Sequence, residues 1–461
     1  MSTNIQKNQI TEGIIWRQLL LFFFPILLGT FFQQLYNTID SVIVGQFVGK
    51  EALAAVGGSS AQIVAFVVGF FTGLSSGASV TIAQFFGAKD SRSANKGLHT
   101  AYAIAAFGGL ILTVSGIILT PFLLEMMNTP ADIVADSAVY LRIYFAGIIF
   151  VLIYNMGSAI LRATGDSKRP LYYLIVCCII NIVLDVLFVI VFHMGVMGVA
   201  VATLIAQAVS AVLVTLKLMR SEGILKLSVK QIRFHGSILK MQLKLGLPTG
   251  FEAILFSITN IAIQSAVNTF GTDTTAAWSA YGKLDAIFWM VSTAFGIAIT
   301  TFVGQNYGAG KMDRVRKSTR VCLLMDFIVS AVLVVFLIAA RFLLFRLFTN
   351  DSHVIEIGCD MLVLITPWYI VYVFIEVIAG ALRGVGNVVV PVVITLLGVC
   401  VLRIAWLAAM LKISPTISAI ILSYPVTWVI TALAFIIYYI YITHKTVSYT
   451  HLRAHETGRN L

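Results

Sequence analysis

The residues able to do chemistry in this chain are acids inside apolar runs: Asp40, Asp185, Glu252, Asp285, Asp326 and Glu376. An acid at the centre of a membrane helix costs roughly 2.5–3.5 kcal/mol on insertion scales, so each needs a partner, a proton or an ion. Asp40 sits in PILLGTFFQQLYNTIDSVIVGQFVGKEALAAVGG (25–58), with Gln33, Gln34, Asn37 and Thr38 within two turns. Pro25 and Gly29 give that helix the means to bend. Asp185, in NIVLDVLF, has Asn181 one turn earlier on the same helix face. Counted from polar breaks, Asp40 lies nine residues before Gly49, Asp185 eight before His193, and Thr203 eight after Gly195. At about 1.5 Å per residue, all three share a depth of roughly 12–14 Å. Two carboxylates, an amide and a hydroxyl at one depth form an oxygen-rich set that suits Na⁺. It suits equally a proton shared between the acids. The plainer alternative is that these groups bond one another and only fasten the helices together.

A second set lies in the later half. Glu252, Asp285 and Glu376 are candidates for a substrate site or a second proton site, and interhelical pairing is the competing reading. Trp278 and Tyr281, with Trp289, offer aromatic faces for an organic cation, although aromatics at helical spacing also serve as core or lipid-facing residues. Lys283 and Asp285 are two residues apart and point to different sides of a helix, so they are not expected to pair directly. Asp326 is expected to be buried or paired and receives no role. The histidines at 99, 193, 235, 353 and 444 show no spacing that suggests a metal centre.

The elements that hold these residues are membrane helices. The chain is 59% hydrophobic and 11% charged, against about 45–50% and about 25% in soluble domains. Its mean hydropathy is +0.95. Runs of about 20 apolar residues exclude a barrel of short alternating strands. Twelve spans are expected, at 15–47, 52–86, 98–124, 135–160, 170–193, 195–219, 240–268, 276–305, 319–347, 357–382, 388–411 and 415–442. With the N-terminus placed in the cytoplasm, 24 of the 31 Lys and Arg fall on inner segments and 5 on outer ones. That alternation is positive-inside and supports an even number of spans with both termini cytoplasmic. It also accounts for the net charge of +11 without nucleic acid. The five cysteines are scattered through apolar runs as small core residues, not a disulfide frame or a zinc site. The polar start leads directly into a full span, so no cleavable signal is expected.

The chain repeats itself. YNMGSAILRATGDSKRP (154–170) aligns without a gap on IEVIAGALRGVGNVVVP (375–391), pairing Leu161-Arg162 with Leu382-Arg383, Gly165 with Gly386 and Pro170 with Pro391. AQFFGAKD (83–90) pairs with GQNYGAGK (304–311) at the same offset of 221. Six spans separate the copies, so the repeat is parallel, about an axis along the membrane normal. The expected fold class is all-α integral membrane, with twelve transmembrane helices in two six-helix lobes. Residues 1–219 form the N-lobe, 220–239 a basic cytoplasmic linker, 240–443 the C-lobe and 444–461 a polar tail. Two such lobes facing a central cavity suit an alternating-access transporter. Aligning Pro25 with Pro248 puts Ile263 at the Asp40 position, so the second lobe does not copy the first lobe's acid.

With these motifs quoted, the sequence resembles the multidrug and toxic compound extrusion (MATE) transporters, from about residue 12 to 443. YNTIDSVIVGQFVGKEALAAVG (36–57) and the two repeated pairs carry the resemblance. It implies a secondary antiporter that exports cationic or amphipathic organic compounds against a Na⁺ or H⁺ gradient, with no cofactor. It also implies a cell-membrane protein with lipid neighbours and a monomeric state. In DinF-like members an Asp in the first span, an Asn-x-x-x-Asp in the fifth and a Thr in the sixth form a cation site. Asp40, Asn181, Asp185 and Thr203 match that pattern, so the resemblance makes them the coupling site and the candidate Na⁺ ligands. Some NorM-like members carry their C-lobe glutamate further along the helix of Glu252, which leaves that residue's role open. A lipid-linked oligosaccharide flippase shares the two-lobe architecture but calls for a cationic cavity. Here the spans hold six acids against two bases, Lys283 and Arg403. A membrane-embedded enzyme such as a prenyltransferase needs clustered acidic motifs at a membrane face, and Gly-rich strings such as GAGK lack the strand-then-helix context of a phosphate loop. The end of the chain, THKTVSYTHLRAHETGRNL, is polar and non-periodic, and within it VSYTHLRAHET departs from the family and resembles translated vector sequence, the alternative being an ordinary disordered tail; His451 and His455 have metal-like spacing but are assigned no role.

Overall fold

The computed structural model describes residues 9–458, with side chains from 10 to 444. Every regular element among them is helical. Twelve helices have the length and apolar character to cross a membrane: α1 Ile15–Phe47, α2 Lys50–Gly87, α3 Ser91–Met126, α4 Val134–Ala163, α5 Lys168–Val191, α6 Gly195–Met219, α7 Gly236–Asn268, α8 Thr272–Gly308, α9 Met312–Arg346, α10 Ser352–Gly384, α11 Val389–Ile413 and α12 Ile417–His444. Several start before the apolar run does. Helix α3 begins seven residues ahead of the expected 98 because Asp90 caps it, accepting from the Ser93 amide at 3.0 Å. Asp351 does the same for α10, accepting from the His353 and Val354 amides at 2.9 and 3.3 Å. Such caps satisfy amides that a helix start leaves unbonded, so the helix extends into its polar flank. After α12 the backbone stays helical to Gly458, which corrects the expectation of a non-periodic tail. No Pro or Gly interrupts residues 443–457, so nothing local stops the helix. The side chains of His451 and His455 lie outside the described residues.

Pro25 and Pro248 both sit within continuous helices. The fifth helix of each set of six carries a π-helical segment instead: Val186–Val191 in α5 and Leu396–Val401 in α11. Such wide turns often mark functional positions. One directly follows Asp185, and the other stops two residues before Arg403.

The repeat is reproduced in the backbone. Lys89 and Gly310, paired at offset 221, have φ of 59° and 71°, and Gly165 and Gly386 have φ of 96° and 89°. These are the helix-ending turns of the repeated motifs, where the left-handed region favours glycine.

The helices pack as two compact units. The first comprises Met1–Ser257, Thr301–Val315 and Gly384–Gly386. Its core joins α2, α3, α4 and α6 through Ile82, Leu98, Ile148 and Val214, with a second cluster around Val44, Leu141, Phe145 and Val199. Within this unit the ends of α2 and α8 meet pseudo-symmetrically. A Cβ on Gly87 would stand 1.9 Å from the Gln305 carbonyl oxygen, and one on Gly308 would stand 2.0 Å from that of Gln84. Gln84 Nε2 donates to the Gly384 carbonyl at 2.9 Å, and Gln305 Nε2 to that of Ala163 at 2.7 Å. Each of these residues is its counterpart's number plus 221, so one arrangement is made twice. The linker docks on α3: Asn95 Nδ2 donates to the Ile224 and Lys226 carbonyls, and the Ser228 amide donates to His99 Nε2 at 3.0 Å. The segment before α1 is held likewise, with Arg314 donating to the Ile10 and Gly13 carbonyls and Lys311 to that of Thr11.

The second unit comprises Ile258–Thr300, Arg316–Arg383 and Asn387–Leu461. One of its cores gathers Ile263, Ala266, Val267, Leu407 and Ile420. Ile263, the counterpart of Asp40, is 1% exposed there.

Candidate functional site

Helices α1, α5 and α6 bring the four first-lobe residues together. Asp40, Asn181, Asp185 and Thr203 are 6%, 1%, 0% and 7% exposed. Thr203 Oγ1 donates to Asp40 Oδ2 at 3.4 Å, and Asn181 Nδ2 reaches Thr203 Oγ1 at 3.5 Å. Asp40 and Asp185 stand as like charges close enough to act on each other. Four oxygens of this nest have no donor among the described residues: Asp40 Oδ1, Asn181 Oδ1 and both oxygens of Asp185. Buried acceptors are ordinarily paired, and a buried unpaired charge is costly. Among the described residues the nest holds two acids and no positively charged side chain.

The nest has members that the sequence reading did not single out. Tyr36 lies one turn before Asp40 and accepts from Gln207 Nε2 at 3.2 Å, and Gln207 lies one turn after Thr203. The i, i+4 spacing from Asp40 and from Thr203 was the available signal. Tyr140 of α4 feels the charge of both acids and stacks on Tyr144 with ring centroids 6.2 Å apart. Conversely, Gln34, Asn37 and Thr38 are exposed. Thr38 donates to the Gln34 carbonyl and Ser41 to that of Asn37. Proximity in sequence placed them near Asp40, but helical rotation carries them off its face.

The later candidates separate into three places. Asp285 of α8 accepts from Trp289 Nε1 at 2.7 Å, Tyr281 OH at 3.3 Å and the Tyr369 hydroxyl, while Tyr281 and Tyr369 bond at 2.9 Å. Trp278 stacks on Tyr281 at 5.3 Å, and Phe288 lies parallel to Tyr369 at 3.9 Å. Three of the five, Asp285, Trp278 and Tyr281, therefore share one aromatic cluster. Arg403, 2% exposed, borders it: its guanidinium lies 4.1 Å over Tyr424 and donates to Thr427 Oγ1 at 2.9 Å. Lys283 is exposed. Glu376 is elsewhere, ion-paired with Arg383 at 3.0 Å within its own helix, so this pairing is not interhelical. Glu252 is on α7 in the first unit.

Outside the spans one titratable group is clearly perturbed in the linker. His235 stands below the usual histidine value, first through desolvation and then through Arg233, Lys96 and His99. Its Nδ1 lies 3.1 Å from Thr100 Oγ1, and its Nε2 faces Arg233 Nε at 3.3 Å.

Twelve apolar helices built on a parallel repeat, with acids buried in the spans, define a multi-pass membrane transporter. Comparison with known proteins makes the class specific. The chain matches the MatE family over residues 25–187 and 248–407. It is 30% identical over 393 residues to the probable multidrug resistance protein YoeA of Bacillus subtilis, covering 84% of each chain. It is also 30% identical over 400 residues to the probable multidrug resistance protein YpnP of the same organism, covering 87% of this chain and 89% of that one. The fold is that of a MOP superfamily transporter from Pyrococcus furiosus, with a TM-score of 0.88, 20% identity and coverage of 95% and 98%. The protein belongs to the MATE family of multidrug efflux transporters. It is a transporter and not an enzyme.

Proposed function

We propose that the protein is a secondary antiporter of the cell membrane, with both termini cytoplasmic, that exports cationic or amphipathic organic compounds as Na⁺ or H⁺ enters. The observation that carries this reading is the nest of Asp40, Asn181, Asp185 and Thr203, with four buried oxygens that have no donor among the described residues. Entry of a cation or proton neutralises Asp40 and Asp185, removes their repulsion and lets α1 and α5 repack. The released constraint then drives substrate out. The names of the Bacillus relatives support a drug-like substrate, and the excess of acids over bases within the spans supports a positively charged one. The aromatic cluster around Asp285 suits such a substrate by combining an acid with ring faces. The transporter needs no cofactor and is expected to act as a monomer among membrane lipids.

Ethidium efflux from proteoliposomes, driven in turn by imposed Na⁺ and H⁺ gradients, tests the reading. The expected result is gradient-driven efflux by the wild type and none by Asp40→Asn, with folding retained. Unimpaired coupled efflux by that variant would refute the assignment.

A further inference from the structure

A third acid sits in the second unit, outside both clusters. Asp326 of α9 is 0% exposed, as are Cys322 one turn before it and Ser330 one turn after. Ser330 Oγ donates to Asp326 Oδ1 at 3.1 Å, whereas Oδ2 has no hydrogen-bond partner among the described residues. The charged group that acts on Asp326 is a second acid, Glu376 of α10. Glu376 is in turn ion-paired with Arg383 at 3.0 Å, the two side chains being 20% and 18% exposed. An ionised Asp326 would be an unpaired charge in the interior, beside a like charge, with one hydroxyl to solvate it. Such an arrangement is penalised by several kcal/mol. A hard metal cation gathers about six oxygens, far more than this pocket supplies, so the missing positive charge is best provided by a proton on Oδ2.

We propose that Asp326 is a second proton-binding site of the transporter, separate from the Asp40–Asp185 nest, loaded as the neutral acid and emptied when an organic cation binds. The proposal rests on the antiport reading and extends it to the second lobe. The proton leaves Asp326 for water past Glu376, whose partly exposed carboxylate provides the route, and returns the same way when the substrate departs. The second lobe thus takes part in coupling even though it lacks a counterpart of Asp40.

Proton release measures this directly. The purified full-length protein, weakly buffered in detergent with a pH indicator, is titrated with ethidium, and protons released per protein are counted for the wild type, Asp326→Asn, Asp326→Glu and Asp40→Asn. Asp326→Asn is expected to release about one proton fewer than the wild type, by linkage between the acid and the substrate. Asp326→Glu, which keeps a titratable acid, retains the release, and Asp40→Asn loses a different share. Equal release by Asp326→Asn and the wild type overturns the proposal. So does an Asp326→Asn chain that fails to fold, because the amide imitates the neutral acid the site is said to hold. The antiport reading is judged separately, by gradient-driven ethidium efflux of the wild type in proteoliposomes. If that efflux occurs without proton release on binding, only the Asp326 site falls. If efflux itself is absent, the antiport reading falls.

Discussion

Replacing Gln305 with Ala removes an amide that donates to the Ala163 carbonyl at 2.7 Å. Gln305 is 0% exposed, and Ala163 is also 0% exposed. Its loss therefore leaves a buried carbonyl without that donor, an effect of about 1–3 kcal/mol. The counterpart, Gln84→Ala, removes the bond to the Gly384 carbonyl at 2.9 Å, but Gln84 is half-buried and water can replace part of what is lost. Gln305→Ala should therefore be the more damaging of the two, although the sequence motif treats the residues as equivalents. Each glutamine's carbonyl also packs on the other's glycine, Gly308 or Gly87, so the double variant should be non-additive, by about 0.5–3 kcal/mol for neighbours of this kind. If this contact closes one conformation of the transport cycle, a weakening of one or two kcal/mol changes its population by about 5–30-fold. The assay is thermal unfolding of the purified variants, paired with cysteine accessibility at the ends of α2 and α8. Equal losses from the two single variants, or strict additivity in the double, would refute the reasoning.

Three further outcomes follow from the same contacts. Gly308→Ala places a methyl where the Gln84 carbonyl oxygen is only 2.0 Å away, so the two backbones must part, with a destabilisation of about 1–3 kcal/mol or more; a melting temperature equal to wild type would contradict the close approach. Asn181→Ala should weaken coupled efflux less than Asp40→Asn, because it removes a neutral amide and leaves both carboxyls; a complete loss of transport with folding intact would reverse that ranking. His235 is held neutral in the fold, its value lowered chiefly by desolvation. A histidine lowered on folding contributes stability that is complete above its unfolded value of about 6.5 and declines as pH falls below it. The linker should therefore loosen from α3 under mild acid, read as rising mobility of a spin label at Lys230, and His235→Asn should abolish the pH dependence.

The parts of the fold that were legible are those governed by solvent preference. Apolar runs gave twelve spans because lipid leaves few other options for a backbone. The repeat was legible because helix ends need particular residues: Gly165 and Gly386 occupy the same left-handed turn, and identical demands preserved identical letters. Helix starts were less legible. Asp90 and Asp351 read as breaks by charge but act as caps, so α3 and α10 begin earlier than hydropathy suggests. The first-lobe nest was legible through depth, since Asp40, Asp185 and Thr203 lie at one level on three helices. Depth says nothing about rotation, and so Tyr36 and Gln207 were passed over while Asn37 and Thr38 were noted. The same limit applied to Glu376. Its partner Arg383 is seven residues along the same helix, two turns away, where a reading based on nearest turns does not look.

The contrast between the lobes carries the last step. Wherever the repeat sets backbone geometry, the two copies agree: the turns, the glutamine bonds and the glycine contacts all recur at one offset. At the positions of the first lobe's acids they disagree. Ile263 stands in apolar packing at the Asp40 position, and the second unit's own charges, half-buried Asp285 and buried Asp326 and Arg403, lie on α8, α9 and α11. Conformational change in a repeat protein needs a scaffold that both halves share, and the glutamine and glycine pairs supply contacts of that kind. Coupling needs an asymmetry, since a charge neutralised in both halves alike would favour neither conformation of that scaffold. Ligands shift an equilibrium only through differential affinity for its states. Confining the Asp40–Asp185 nest to one lobe is one way to provide it. Introducing an acid at Ile263 therefore tests the division of labour: Ile263→Asp should bury a charge in the apolar cluster of Ala266, Val267, Leu407 and Ile420, lowering the melting temperature of the purified protein without adding a coupling site, and an unchanged melting temperature would count against it.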